Sequence, residues 1–390
     1  MSEEKLVPKL RFEFSSTWES KKLKDIIQIS KEKYNPDSDK INYKCIELEH
    51  LSQETGLLLG YTDSINQNSI KNKFHEDNIL FGKLRPYLKK FYYTDFVGVC
   101  SSEIWVFDTN EYSKYIYYLI QTKRFLDIAN VSSGSKMPRS DWNFMKDFVF
   151  SIPDIKTQKE TANLFFMIDN KIELLEKKYH CYQDFKKYLM QNIFAQKLRF
   201  DNTSVIQKEI YLGDVISIIN KRNKDNEKLP VLSISNKFGF ISQNKQFEDR
   251  EVASSDKKNY KIVNNGEFAY NPARINVGSI AQLKNFDKGI ISPMYIVFKI
   301  DSNKLDPIFF ENFLNSDYFR HEMLKRLEGS VRMILSAESL KNIKLTVPSI
   351  EEQRKMSELF LAFDKKIDIT KHQLDNMFEF KKGLLQQMFV

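Results

Sequence analysis

The sequence predicts an α+β fold: two similar α/β domains separated by two long helices that pack as an antiparallel coiled coil, with a pseudo-two-fold internal repeat. Three observations predict it. The chain contains itself twice, two segments carry a heptad stripe, and strand-like runs fall at matched places in the two halves. Residues within Asp147–Phe200 match residues within Lys341–Val390 at a constant offset of 195. Pro153 falls on Pro348, Gln158 on Gln353, Phe165 on Phe360, Asp169 on Asp364, Lys186 on Lys381 and Phe194 on Phe389. The rest of each half matches less closely. Ser101–Phe107 aligns with Ser292–Phe298 at offset 191, and Ile79-Leu80-Phe81 with Arg85 aligns with Phe268-Ala269-Tyr270 with Arg274 at offset 189. The leading phrase Lys9-Leu10-Arg11-Phe12 reappears as Lys197-Leu198-Arg199-Phe200. The predicted order is a first module over 1–152, a helix over 153–200, a second module over 201–347 and a second helix over 348–390.

Each connecting segment reads as a helix with an apolar seam. In the first, Phe165, Ile168, Ile172, Leu175, Lys186 and Leu189 lie on one stripe. In the second, Phe360, Phe363, Ile367, Leu374, Lys381 and Leu384 do the same. Steps alternating between three and four give a 3.5-residue period, which asks for a partner helix. An ordinary core helix would also carry a stripe, but about 40 residues, roughly 60 Å, is long for one. Asp154 after Pro153 predicts an N-cap, and Ser349-x-x-Glu352 after Pro348 predicts a capping box. Lys186 and Lys381 occupy equivalent seam positions, where a polar residue costs stability but fixes register.

In the modules, strands are predicted over Tyr43–Leu48, Asn78–Phe81 and Ser102–Phe107, then Val231–Ser235, Glu267–Tyr270 and Tyr295–Ile300. An aromatic helix follows each set, over Ser113–Ile128 and Pro307–Leu327. A twisted, largely antiparallel sheet with helices on one side is the expectation.

Composition excludes several classes. The 390 residues are 42% hydrophobic and 13% aromatic, enough for packed cores, so disorder and collagen-like structure are ruled out. No apolar run reaches the roughly 18 residues that span a bilayer. Acids near the N-terminus, where a signal peptide wants basic then apolar residues, predict a cytoplasmic protein, as do three widely spaced cysteines, Cys45, Cys100 and Cys181. A net charge of +8 modestly favours a polyanionic partner. There is no phosphate-binding G-x-x-x-x-G-K-[ST] loop, no G-x-G-x-x-G and no H-x-x-x-H pair, so neither a cofactor site of those kinds nor a metal site is predicted in this chain. Asn271-Pro272-Ala273-Arg274 only partly matches the Asn-Pro-Pro-aromatic loop of amino-methyltransferases. A nuclease constellation from Pro153-Asp154 with Glu176-Lys177-Lys178 fails the repeat, because Asp154 becomes Ser349.

The positive signal is basic, hydroxyl and aromatic residues interleaved on loops. In the first half these are Lys83, Arg85, Tyr87 and Lys89, then Ser133, Ser135, Lys136 and Arg139. In the second half they are Asn271, Arg274 and Asn276, then Ser330 and Arg332. Arg reads guanine edges and Asn reads adenine, while Ser, Lys and backbone N–H groups grip phosphates. A solvated loop with incidental charge is the bland reading of any one of them, and recurrence in both halves favours double-stranded DNA for the group.

Pro8-Lys9-Leu10-Arg11-Phe12 with Trp18, the phrase Ile79-Leu80-Phe81-Gly82-Lys83-Leu84-Arg85-Pro86-Tyr87, and the Ile-Pro or Val-Pro step before each Gln-containing helix resemble the specificity subunit of type I restriction–modification enzymes. The resemblance covers nearly the whole chain. It implies two target-recognition domains, each reading half of a split DNA sequence, with the helices setting the gap. It also implies two methyltransferase subunits on the helical region and, in a restricting complex, two ATP-driven endonuclease subunits. S-adenosylmethionine, ATP and magnesium would belong to those partners, and the chain itself would be non-catalytic. A stand-alone methyltransferase or nuclease with duplicated recognition domains is the alternative, and a coiled-coil scaffold without a DNA function is a third.

Overall fold

The computed structural model describes residues 7–13, 17–131, 137–199, 208–243, 257–329 and 333–389. It divides into two compact units, 1–177 with 371–390, and 178–370. Each unit therefore holds one module and one half of each long helix.

The first unit contains eleven described strands: β1 (Trp18–Lys22), β2 (Ile27–Ile29), β3 (Lys33–Tyr34), β4 (Lys44–Ile46), β5 (Thr62–Asp63), β6 (Lys71–Phe74), β7 (Ile79–Gly82), β8 (Phe91–Tyr93), β9 (Gly98–Cys100), β10 (Ile104–Thr109) and β11 (Val149–Pro153). They form a ribbon β1-β11, a sheet β2-β10-β7-β8 and a sheet β3-β6-β9-β4-β5. The second unit contains β12 (Lys208–Tyr211), β13 (Ile216–Ile219), β14 (Val231–Ser235), β15 (Gly239–Ser242), β16 (Lys261–Asn264), β17 (Phe268–Tyr270), β18 (Ile280–Gln282), β19 (Lys288–Ile291), β20 (Ile296–Ile300) and β21 (Lys344–Val347). Its sheets are β12-β21, β13-β20-β17-β18 and β15-β14-β19-β16, the same topology except that β3 has no strand counterpart among the described residues. An isolated Arg222↔Lys261 bridge stands where β3 pairs with β6.

Two features differ from expectation. Each module has two sheets and a ribbon rather than one sheet, because strands close in sequence go to different sheets. Each also has one parallel pair, β4 with β9 and β14 with β19. Glycine permits the close approach there. A Cβ on Gly98 would meet the Lys44 carbonyl at 2.8 Å, and one on Gly289 would meet Leu232 Cδ1 at 2.3 Å. The aromatic helices are also each broken in two, into Ser113–Leu119 and Lys123–Ala129, and into Pro307–Leu314 and Asp317–Leu324. Thr122 Oγ1 accepts from Phe125 N, and Ser316 Oγ from Phe319 N. Each hydroxyl thus caps a new helix inside what would otherwise be one.

The long helices run Ile155–Phe194 and Ile350–Met388. Asp154 caps the first by accepting from Thr157 N at 3.0 Å, and Ser349 caps the second by accepting from Glu352 N at 3.2 Å. Gln158 and Gln353 fasten each helix start to its module. Their side-chain carbonyls accept from Tyr112 N and Asp306 N, and their amides donate to Pro153 and Pro348. In the first unit Phe165, Ile168, Ile172 and Leu175 share one core with Leu374, Leu385, Met388 and Phe389. In the second, Leu189, Ile193 and Phe194 share a core with Met356 and Phe360, and Phe363 packs against it. In the first unit Phe165 meets Phe389 and Asp169 meets Lys381, so the helix segments there are antiparallel, and in the second unit Phe185 meets Phe363. Every seam residue is buried or half-buried, with Ile367, Phe363, Lys186 and Leu384 half-buried.

The two seam lysines find repeat-related partners. Lys381 Nζ lies 2.7 Å from Asp169 Oδ1 in the first unit, and Lys186 Nζ lies 2.5 Å from Asp364 Oδ1 in the second. Asp169 and Asp364 are themselves related by the offset of 195. A one-turn slip of either segment would separate charge from charge, so the pair specifies register as well as adding attraction.

The cysteines behave differently from one another. Cys181 is exposed, whereas Cys45 and Cys100 are buried. Burial pushes the Cys45 thiol up to about 11 and the Cys100 thiol well above its ordinary value. Because the thiolate is the nucleophile, native protein should release one equivalent of chromophore from an aromatic disulfide reagent at about pH 8, and Cys181→Ser should release none rapidly. Fast labelling of a second thiol would contradict the burial.

Candidate nucleic-acid interface

The candidate loops follow equivalent central strands, β7 and β17. In the first module Lys83 follows the strand and is held on both sides by backbone. Its N–H donates to Glu103 O at 3.0 Å, and its carbonyl accepts from Ser140 N at 2.9 Å. A 3-10 turn, Pro86–Leu88, comes next, with Arg85 at its N-cap. In the second module the turn is Ile275–Val277 with Arg274 at its N-cap. Leu335 N donates to Pro272 O at 3.1 Å, the repeat counterpart of Ser140 N on Lys83 O. In both modules the strand-end turn is therefore stitched to the segment that follows the Gly-Ser loop.

The two turns share two backbone bonds, although Arg85 is left-handed at φ 53° and Arg274, at φ -134°, is not. Leu88 N donates to Arg85 O at 2.9 Å and Lys89 N to Pro86 O at 2.9 Å. Val277 N donates to Arg274 O at 3.2 Å and Gly278 N to Ile275 O at 2.9 Å. Pro86 and Ile275 are buried and anchor the turns. Arg85 and Arg274 are exposed, and neither guanidinium has a hydrogen bond or ion pair among the described residues. Tyr87 is 54% exposed, and Asn276 is exposed at the matching place.

Other expected site residues are engaged within their own module. Arg139 grips Glu103 through two bonds, Nε to Oε2 at 3.0 Å and Nη2 to Oε1 at 3.1 Å. That contact holds the Glu103 carboxyl below the usual glutamate range. The stability it lends is present above that range and is lost as pH falls through the lowered value. Lys89 Nζ lies 2.6 Å from Glu54 Oε1. Asn271 is buried, and its side-chain oxygen accepts from Ala273 N at 3.0 Å, so it shapes the turn. Ser133, Ser135, Lys136, Ser330 and Arg332 lie outside the described residues.

Sequence reading missed Glu103 and Glu54, whose role shows only when distant segments meet. It also missed the Ser235–Lys237 turn beside Asn276. With Asn276–Gly278 that turn lines a cleft of about 680 Å³, whose lining also includes Asn312, Arg320 and Asp364. Among the described residues no group of three His, Cys, Asp or Glu could hold a metal ion, and no described helix is long and apolar enough to cross a membrane.

Comparison with known proteins agrees with this duplicated architecture. The chain is similar to the type I restriction enzyme MjaVIII specificity subunit of Methanocaldococcus jannaschii, 25% identical over 296 residues, covering 70% of this chain and 68% of that protein. Its fold is that of a chain in a solved structure of a type I R-M system, with 14% identity and a TM-score of 0.61 over 94% of this chain and 96% of that one. The S subunit of the type I restriction-modification system from M. genitalium shares 15% identity and a TM-score of 0.57 over 99% of each chain. The family model for the type I restriction modification DNA specificity domain matches residues 15–180 and again 207–377. The chain belongs to that family, with two copies of its domain in tandem.

Proposed function

We propose that this chain is the non-catalytic DNA-reading subunit of a type I restriction–modification complex, acting in the cytoplasm on an asymmetric bipartite target. Residues 1–152 and 201–347 are the two readers, and 153–200 and 348–390 are the spacer. The observation that carries the reading is the pair of repeat-related 3-10 turns, each presenting an uncommitted arginine beside a different neighbour. Like frames with unlike readers fit a target whose halves differ. The basic loops containing Ser133, Ser135, Lys136, Ser330 and Arg332 would add phosphate contacts, which position without specifying.

Two methyltransferase subunits would bind the helical region and, for restriction, two ATP-dependent endonuclease subunits would join. S-adenosylmethionine, ATP and magnesium would reside on those partners. The methylated adenine would be flipped out of the stack into a partner's pocket.

Co-expression with the cognate methyltransferase subunit, followed by mapping of methylated adenines, tests this. Arg274→Ala should relax one position in the second half-site, at about 1–3 kcal/mol of lost discrimination, and leave the first half-site unchanged. Equal weakening of both halves would make Arg274 a phosphate contact or a structural residue.

A further inference from the structure

The two strand-end turns carry an inference about which side chain sets the difference between the half-sites. They share a five-residue frame at offset 189: Arg85-Pro86-Tyr87-Leu88-Lys89 and Arg274-Ile275-Asn276-Val277-Gly278. Both share the two backbone bonds given above, the buried anchor at the second position and the exposed arginine at the first. Both close on a left-handed residue, Lys89 at φ 49° and Gly278 at φ 89°. The third position is the one that is exposed in both turns and differs in residue type between them.

We propose that Tyr87 and Asn276 are equivalent specificity-determining residues, each reading one base pair of its own half-site, with Asn276 reading an adenine. This deepens the DNA-reading proposal and rests on it. An exposed Asn side chain offers one donor and one acceptor in the spacing that matches adenine N7 and N6–H₂ in the major groove. Asn271, five residues earlier, cannot substitute, because its oxygen is held by Ala273 N. A tyrosine has no such bidentate edge. It offers a ring for apolar contact with a thymine methyl and a hydroxyl for a single bond, so the first half-site is read at this place by another rule.

Two observations support a presenting role for the frame in the first module. Arg85 itself has φ 53°, so left-handed residues stand on both sides of Pro86–Leu88. Such conformations are strained in a non-glycine residue and persist where surrounding contacts over-determine them. Here those contacts are Arg85 N on Pro138 O at 2.8 Å, and Glu54 N on Lys89 O at 3.0 Å with the Lys89–Glu54 ion pair beside it. None of these bonds involves Tyr87, whose side chain is left free to project.

The test maps methylated adenines in cells expressing the full chain with its methyltransferase subunit. Asn276→Ala should lose roughly ten- to hundredfold discrimination at one A·T position of the second half-site, the range for one bidentate contact. Tyr87→Asn should alter one position in the first half-site and introduce an adenine preference there. Lys89→Gly and Lys89→Val both remove the ion pair to Glu54, but only valine resists the left-handed backbone. Glycine should therefore keep the first-half motif and valine should blur it. An unchanged motif in both Asn276→Ala and Tyr87→Asn, against a bipartite wild-type map, would overturn this inference and leave the DNA-reading proposal standing. A wild-type map with no bipartite motif would overturn that proposal, and this one with it.

Discussion

Seven residues inserted after Lys177 and seven after Thr370 should lengthen the unspecified gap of the target by about three base pairs and leave both half-sites intact. Seven helical residues add about 10.5 Å, and successive base pairs rise about 3.4 Å. A heptad is the insertion that keeps each apolar seam in phase. The chosen points are the boundaries at which each helix passes from one compact unit to the other. Each insertion therefore leaves Lys381–Asp169 and Lys186–Asp364 within their own units. A map of methylated adenines showing the wild-type gap would contradict the spacer role of the helices.

Lys381→Met should destabilise the first unit by about 2–4 kcal/mol, whereas Lys186→Met should cost within about 1 kcal/mol. The two lysines are repeat equivalents, so the difference lies in their surroundings. Lys381 has a side chain only 10% exposed, its ammonium also meets Gln121 Oε1 at 3.1 Å, and it sits over the Tyr118 ring. Tyr118 OH donates to Asp169 Oδ2 at 2.9 Å, which closes a small network. Removing the cation leaves a carboxylate that is two-thirds buried without its counter-charge. Lys186 and Asp364 are 22% and 47% exposed, so water replaces either partner at little cost. Urea titrations of the two variants check this, and Lys381→Met with Asp169→Leu should recover much of the loss, because an apolar pair can replace a buried ionic one. Equal losses from the two lysine variants would contradict the asymmetry.

The frame of this protein was legible because duplication doubles every signal. Asp169 and Lys186 are single charges on a helix, and their recurrence at Asp364 and Lys381 marks them as matched positions of the repeat. The helix caps at Asp154 and Ser349 were readable from local chemistry alone. Sheet order was not. Strands such as β4 and β9 are three residues long and pair in parallel across more than fifty residues, so nothing local announces the partner. The breaks at Thr122 and Ser316 were hidden by aromatic residues that continue on both sides. In the candidate interface the arginines were legible, as was their correspondence. The engagement of Arg139 by Glu103, of Lys89 by Glu54 and of Asn271 by Ala273 was not, because each depends on a close contact that only the folded chain supplies.

The most direct test of the central claim is the map of methylated adenines in a strain that expresses this chain with its methyltransferase subunit. Two unlike readers on one helical frame predict a single motif of two dissimilar halves separated by a gap of fixed length. A continuous motif, or two identical inverted halves, would contradict it.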